Sequence, residues 1–205
     1  MTANRKDTNE IIFGNVYNKY TSKNPIVRVM MRNFHRSVSS LLVPLKCKKV
    51  VEVGCGEGYL TNFIREIIPD AELFAFDLTA DVAALGILDE SAHFHVASVY
   101  QMPYADKQFD LIIASEILEH LEDCVSALEE IKRVTSKYCL LSVPREPYWR
   151  LLNMARLRYP KEFGNTPGHY NHWSKSDFIA LIKKYFEIVA VMTPIPWTVV
   201  QAKTE

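Results

Sequence analysis

Residues 50–60 read Val-Val-Glu-Val-Gly-Cys-Gly-Glu-Gly-Tyr-Leu: a β-branched run, three alternating glycines, then the start of an amphipathic stretch. Glycine reaches positive φ without steric cost and leaves no Cβ in a ligand's way. Gly54, Gly56 and Gly58 therefore predict a tight strand-to-helix turn that a bound molecule can approach closely. In doubly wound sheets such a turn stands at the carboxyl end of the first strand, where ligands bind. Nineteen residues after Gly58, Asp77 closes a second β-like run, Leu-Phe-Ala-Phe-Asp. A carboxylate at that strand end can accept hydrogen bonds from both hydroxyls of a ribose. Together the turn and the acid predict an adenosine site.

The glycine spacing narrows the ligand further. A dinucleotide fingerprint has glycines at relative positions one, three and six. Here the sixth position is Tyr59, and Glu57 inside the turn would repel a diphosphate. An NAD-linked oxidoreductase is accordingly the weaker reading. The imidazoles that could serve as a general base are His120, in Leu-Glu-His at 118–120, and His169 and His172, in Gly-His-Tyr-Asn-His-Trp-Ser at 168–174. Bracing the loop after a strand is the competing role for His120, and loop hydrogen bonding for the other two. Cys47, Cys55, Cys124 and Cys139 form neither a CxxC pair nor a cysteine–histidine cluster, so no metal is expected.

These groups need a scaffold, and the chain supplies an alternating one. Residues 24–43 predict an amphipathic helix, with Val27, Met30, Met31, Phe34, Val38, Leu41 and Leu42 on one face and Arg28, Arg32 and Arg36 on another. Pro25 suits its first turn. Strands are then expected at 49–53, 73–77, 93–96, 109–115 and 138–143. Helices are expected at 59–68, 81–88 and 123–135, the last with Val125, Leu128, Ile131 and Val134 on its inner face, and an irregular stretch after Pro144. A helix at 174–186 opens on a Ser174–Asp177 capping pair. Two last strands, at 187–192 and 197–203, meet at a proline corner too short for a parallel crossover and must form a hairpin. The expected fold is α/β: a Rossmann-like, doubly wound, seven-stranded sheet, mostly parallel, with one antiparallel strand in the C-terminal hairpin. The whole of 1–205 reads as a single domain, with a helical cap at 9–43 and a substrate-covering insert at 144–172.

The formal charge is zero, with 24 Lys/Arg against 24 Asp/Glu, but it is segregated. Residues 1–50 hold ten basic and two acidic side chains, residues 51–130 two and seventeen, and residues 131–205 twelve and five. An acidic ligand core between basic flanks is the implied field. No apolar run is long enough to cross a bilayer, and residues 1–10 are polar, without a signal-peptide core. A cytoplasmic, thiol-reduced protein without an integral membrane segment is expected, and neutral overall charge argues against a nucleic-acid partner.

Four segments carry a family resemblance: VVEVGCGEG at 50–58, FAFDLT at 74–79, ASVYQMPYADKQFDLIIASEILEHLED at 97–123, and GHYNHWS followed by a helix at 168–186. Over about 50–201 the chain resembles the class I S-adenosylmethionine-dependent methyltransferases, and is similar to the ubiquinone and menaquinone biosynthesis subgroup. The resemblance implies S-adenosylmethionine as cofactor and S-adenosylhomocysteine as product. It implies that Glu52, Gly54, Cys55, Gly56 and Gly58 line the methionine and ribose portion, that Asp77 holds the ribose, and that Leu78 lies against the adenine. Ser98 and Val99 stand where the family usually has an aspartate at the adenine amino group. Ser115 and Glu116 would flank the sulfonium and amino-acid end, with Tyr17 and Tyr20 closing over the cofactor.

Methyl transfer from a sulfonium is an in-line displacement in which orientation can supply roughly 7–11 kcal/mol. A base is needed only if the acceptor must lose a proton. No Asn/Asp-Pro-Pro-Tyr run follows the fourth strand, where Ser115-Glu116-Ile117-Leu118 stands, so a nucleotide base is not the expected acceptor; nor is there an acidic trio assignable to a magnesium-dependent catechol site. The insert mixes aromatic and aliphatic residues with Arg145, Trp149, Arg150 and Arg156. The expected acceptor is a small molecule with an anionic group on an apolar or aromatic body. A non-catalytic adenosyl-binding partner subunit is the alternative.

Overall fold

The computed structural model describes residues 19–80 and 87–204. Seven strands form one sheet: β1 (Lys49–Val53), β2 (Glu72–Asp77), β3 (His93–Val96), β4 (Phe109–Ser115), β5 (Thr135–Pro144), β6 (Glu187–Met192) and β7 (Trp197–Lys203). Their spatial order is β3-β2-β1-β4-β5-β7-β6. β1, β2, β3, β4 and β5 pair in parallel. β7 runs antiparallel to both β5 and β6, so it is the one reversed strand. Glu52 is level with Ala75 and Ile113, and Asp77 ends β2 one residue past the register partner of Val53. The carboxyl ends of β1, β2 and β4 thus open on the same edge, where the strand order turns from β1 to β4.

Two apolar layers cover the sheet, and the two-residue period of a strand decides which side chain joins which. Val51, Val53, Ile112, Ala114, Cys139, Leu141 and Val200 face α3 (Cys124–Val134) and α5 (Lys175–Ile182). Val50, Leu73, Leu111, Ile113, Leu140 and Val199 face α1 (Pro25–Leu42) and α2 (Tyr59–Ile67). Both faces of β4 are covered, which accounts for its unbroken buried run from Leu111 to Ala114.

α1 begins where the Asn24 side chain accepts from the Ile26 amide at 2.9 Å and Pro25 sets the first turn. It buries Val27, Met31, Phe34, Val38, Leu41 and Leu42, while Arg28, Arg32 and Arg36 stand in solvent. Phe34 meets the Trp197 ring at 5.0 Å, and the buried Gln201 side chain donates to the Leu41 carbonyl at 3.0 Å. The first helix is thereby fastened to the last strand. No described helix is long and apolar enough to cross a membrane.

Several elements differ from expectation. The stretch after Pro144 contains α4 (Tyr148–Ala155), a helix without a side-chain N-cap, with Leu151 and Met154 exposed and Asn153 its one fully buried side chain. β5 starts at Thr135, directly after α3. On α3 Ala127 takes the inner position and Val125 faces solvent. α5 ends at Ile182 rather than 186. Residues 81–86 of the helix expected at 81–88, and residues 9–18 of the cap with Tyr17, lie outside the described residues.

Truncating Phe34 tests whether α1 belongs to the core. Phe34→Ala is expected to cost about 3–5 kcal/mol, a fall in Tm of roughly 6–20 °C for a domain of this size. A thermal melt showing no change would mean that the helix contributes nothing to the core.

Candidate active site

The glycine turn is built as its residue types require. Gly54, Gly56 and Gly58 have φ of 69°, 51° and 87°. The amides of Gly54 and Cys55 both donate to the Phe76 carbonyl, at 2.9 and 3.1 Å, which pins the turn to the end of β2. A Cβ on Gly54 would strike the Ile117 side chain at 2.5 Å, whereas one on Gly56 would meet nothing within 4 Å among the described residues. Gly56 therefore opens onto free space. Asp77 stands at its rim: one carboxylate oxygen accepts from the Gly56 amide at 2.9 Å, the other from the Leu78 amide at 2.7 Å. Each oxygen keeps lone-pair capacity for a further donor.

Around this space lie the other residues the sequence singles out. Leu78 is exposed and Val99 buried. The half-buried Ser98 hydroxyl accepts from the Tyr100 amide at 3.3 Å. Cys55 is buried, its thiol pushed far up by burial. Ser115 shares a hydrogen bond with Ser142 at 2.8 Å, and the next residue, Glu116, holds a left-handed φ of 56° that turns the chain at the end of β4. Glu52 is 3% exposed and accepts a hydrogen bond from the Thr61 hydroxyl. Burial, opposed by Thr61 and reinforced by Asp77, pushes its carboxyl up to about 8.

Sequence reasoning missed Lys19, which forms an ion pair with Glu116 and stands over the Trp197 ring at 5.7 Å. Tyr20 beside it stacks on Tyr59 with 4.8 Å between centroids. Burial, then Glu116, Glu52 and Glu57, hold the Tyr20 phenol well above its usual range. Lys19 and Tyr20 thus stand across the acidic cleft.

On the other side of the cleft, the segment at 168–174 docks on the 3-10 turn at Leu118–His120. The Tyr170 and Asn171 amides donate to the Glu119 carbonyl at 2.8 and 3.1 Å. The Asn171 side chain donates to the carbonyls of Leu118 and Leu121. This brings His169 to His120, with rings edge-to-face at 4.6 Å, and lays Trp149 parallel to His169 at 6.0 Å. Burial first, then the neighbouring His120, His172 and Lys19, push the His169 imidazole down to about 3. His172 is bound instead to the Asn165 side chain at 2.6 Å. Of the arginines, Arg145 lies over the Tyr148 ring at 4.6 Å and Arg150 approaches Glu146 at 4.0 Å. Arg156 is exposed and turned to the end of α4, donating to Leu152 and Asn153. Asn171 and Glu119 were also missed. The one hint was a carboxylate among Ile117, Leu118 and Leu121.

Residues 51–142 match the family described as a methyltransferase domain. The chain is 26% identical over 150 residues to a demethylmenaquinone methyltransferase of Roseiflexus, covering 69% of this chain and 63% of that protein. It is 34% identical over 98 residues to a chloroplastic tocopherol O-methyltransferase of Arabidopsis thaliana, covering 44% and 28%. The chain spans less than two thirds of the length of these curated relatives. A crystal structure of a SAM-dependent methyltransferase from Aquifex aeolicus shares the fold, with a TM-score of 0.64 at 17% identity over 89% of this chain and 94% of that one.

The buried Glu52 carboxyl has a pH consequence. Its folded value of about 8 lies above the ordinary 4.5, so its contribution to stability is present below the ordinary value and is lost as pH rises through the folded one. The loss is at most about 1.4 kcal/mol per pH unit. Glu52→Gln does not titrate. In urea unfolding between about pH 5 and pH 8, the wild-type midpoint should fall relative to the variant's; a difference independent of pH would refute the assignment.

Proposed function

We propose that this chain, which carries a class I S-adenosylmethionine-dependent methyltransferase domain and is similar to the quinone-biosynthesis subgroup, methylates a small-molecule acceptor. The observation that carries the reading is the open space over Gly56 with the Asp77 carboxylate at its rim. When bound, S-adenosylmethionine supplies an electrophilic methyl group on a positively charged sulfur. The chain's residues fit it. Asp77 would accept from the ribose hydroxyls; Leu78, Ser98 and Val99 would meet the adenine. Gly54, Cys55, Gly56 and Gly58, with Ser115, would border the ribose and amino-acid portion. Asp77 and Glu116 bias the cleft toward a cation, and Lys19 with Tyr20 would close its top.

For the acceptor, we infer a molecule with an apolar or aromatic body and an anionic group. Trp149 and the exposed Leu151, Met154, Leu157 and Phe163 of the insert at 144–172 support the apolar body. So do the names of the demethylmenaquinone and tocopherol methyltransferases to which the chain is similar. Arg145, whose Nε is buried without a hydrogen-bond partner, supports the anionic group, with Arg150 nearby on the same insert. Arg156, spent on the end of α4, supports it least. Where the acceptor must lose a proton, His120 at the cleft is the better-placed base, since burial leaves His169 a weak one and His172 is bound to Asn165.

Thermal melts with S-adenosylmethionine and S-adenosylhomocysteine test the cofactor. A ligand at a hundred times its dissociation constant stabilises by about 2.7 kcal/mol, a rise of roughly 5–10 °C at this size. The rise should occur in the wild type and be lost in Asp77→Ala. No rise in the wild type at saturating ligand would sink the reading. Binding without turnover across quinol, phenol and carboxylate acceptors would favour a non-catalytic subunit.

A further inference from the structure

We propose that Glu119, His120 and His169 form a binding site for one divalent transition-metal cation. Their ligand atoms all lie within 4.8 Å of one another. Glu119 is 1% exposed, yet neither carboxylate oxygen has a hydrogen-bond partner among the described residues. Leaving such a group unpaired in the interior is costly. The nearby ammonium group is committed elsewhere: Lys19 pairs with Glu116.

The imidazoles are prepared as ligands usually are. His120 Nδ1 lies 2.9 Å from the Gly168 carbonyl. A carbonyl only accepts, so Nδ1 carries the proton and Nε2 keeps its lone pair, the arrangement in which a second-shell carbonyl orients a metal-binding histidine. His169 is flanked by the parallel Trp149 ring. The two halves of the cluster are also locked together, since the amides of Tyr170 and Asn171 hold the Glu119 carbonyl. One carboxylate and two imidazoles suit zinc, manganese, iron(II) or cobalt(II) and leave positions open for a further ligand. Bonds of about 2.0–2.2 Å call for a small inward rotation of the rings.

The sequence expectation of no metal rests on linear spacing, and these ligands come from segments far apart in the chain. Beside Glu116 at the end of β4, the cation would face the acceptor side of the cleft. There it could hold an acceptor oxygen and make its hydroxyl more acidic, so that in the loaded site the cation takes over from the free His120 imidazole the task of acidifying the acceptor; this consequence alone rests on the methyl-transfer reading.

The test is calorimetric titration of the full chain, stripped with a chelator, with zinc chloride and with manganese(II) chloride, in the absence of S-adenosylmethionine. It therefore stands or falls independently of the cofactor. One equivalent should bind. Glu119→Gln and His169→Ala should each weaken it at least tenfold to a hundredfold, while metal-free Glu119→Gln melts no lower than the wild type. Failure of the wild type to bind one equivalent of either metal would overturn the proposal. So would binding that survives Glu119→Gln and falls in His93→Ala, since His93 and Glu72 form a surface pair at 3.7 Å.

Discussion

The Phe76 carbonyl accepts two amides, from Gly54 and Cys55, and the cofactor side of the molecule depends on that junction. Parallel strands deliver their carboxyl ends to one edge, but a loop leaving β1 would ordinarily swing free of β2. Pinned at Phe76, it turns back through left-handed glycines. This brings the Gly56 amide to Asp77 and leaves open space above a residue with no side chain. The same turn sets the start of α2, whose Thr61 reaches the buried Glu52. A chain of local hydrogen bonds converts the topology of a sheet into a rigid, acid-rimmed hollow.

The acceptor side is held by a second shared carbonyl, that of Glu119. Because it binds the amides of Tyr170 and Asn171, the insert cannot drift from the end of β4. His169, Trp149 and the arginine-bearing α4 are carried with it. The segregated charge then has a structural meaning. Glu52, Asp77 and Glu116 belong to the strand ends, whereas Lys19 and Arg145 approach from the flanking segments. Lys19 closes the contrast directly by pairing with Glu116.

Much of this was legible in the sequence because it is local. Strand periodicity, the glycine spacing and the placement of Asp77 at a strand end predict the sheet and the cofactor half of the site. Ser174 and Pro25 announce their helices at the first turn, whereas the Asn24 cap is seen only in the structure. What the sequence hides is what packing decides. α4 has no side-chain cap to announce it, exposes Leu151 and Met154, and has the polar Asn153 as its one fully buried side chain. The partnership of His120 with His169, and the clamp made by Asn171, join segments about fifty residues apart. Nothing in their immediate neighbours distinguishes His169 from His172, yet one turns to the cleft and the other to Asn165.

The place of β7 has a consequence for how the molecule comes together. It is the last strand in the chain, yet it lies inside the sheet between β5 and β6, and its Trp197 and Gln201 complete the seat of α1. During synthesis, which proceeds from the N-terminus, the first helix emerges with Phe34 and its neighbours lacking their final partner. A partly made chain must carry that apolar stripe uncovered until the closing hairpin arrives. That stripe is an aggregation liability from the time α1 emerges until β7 is in place, and deleting β7 would unseat α1.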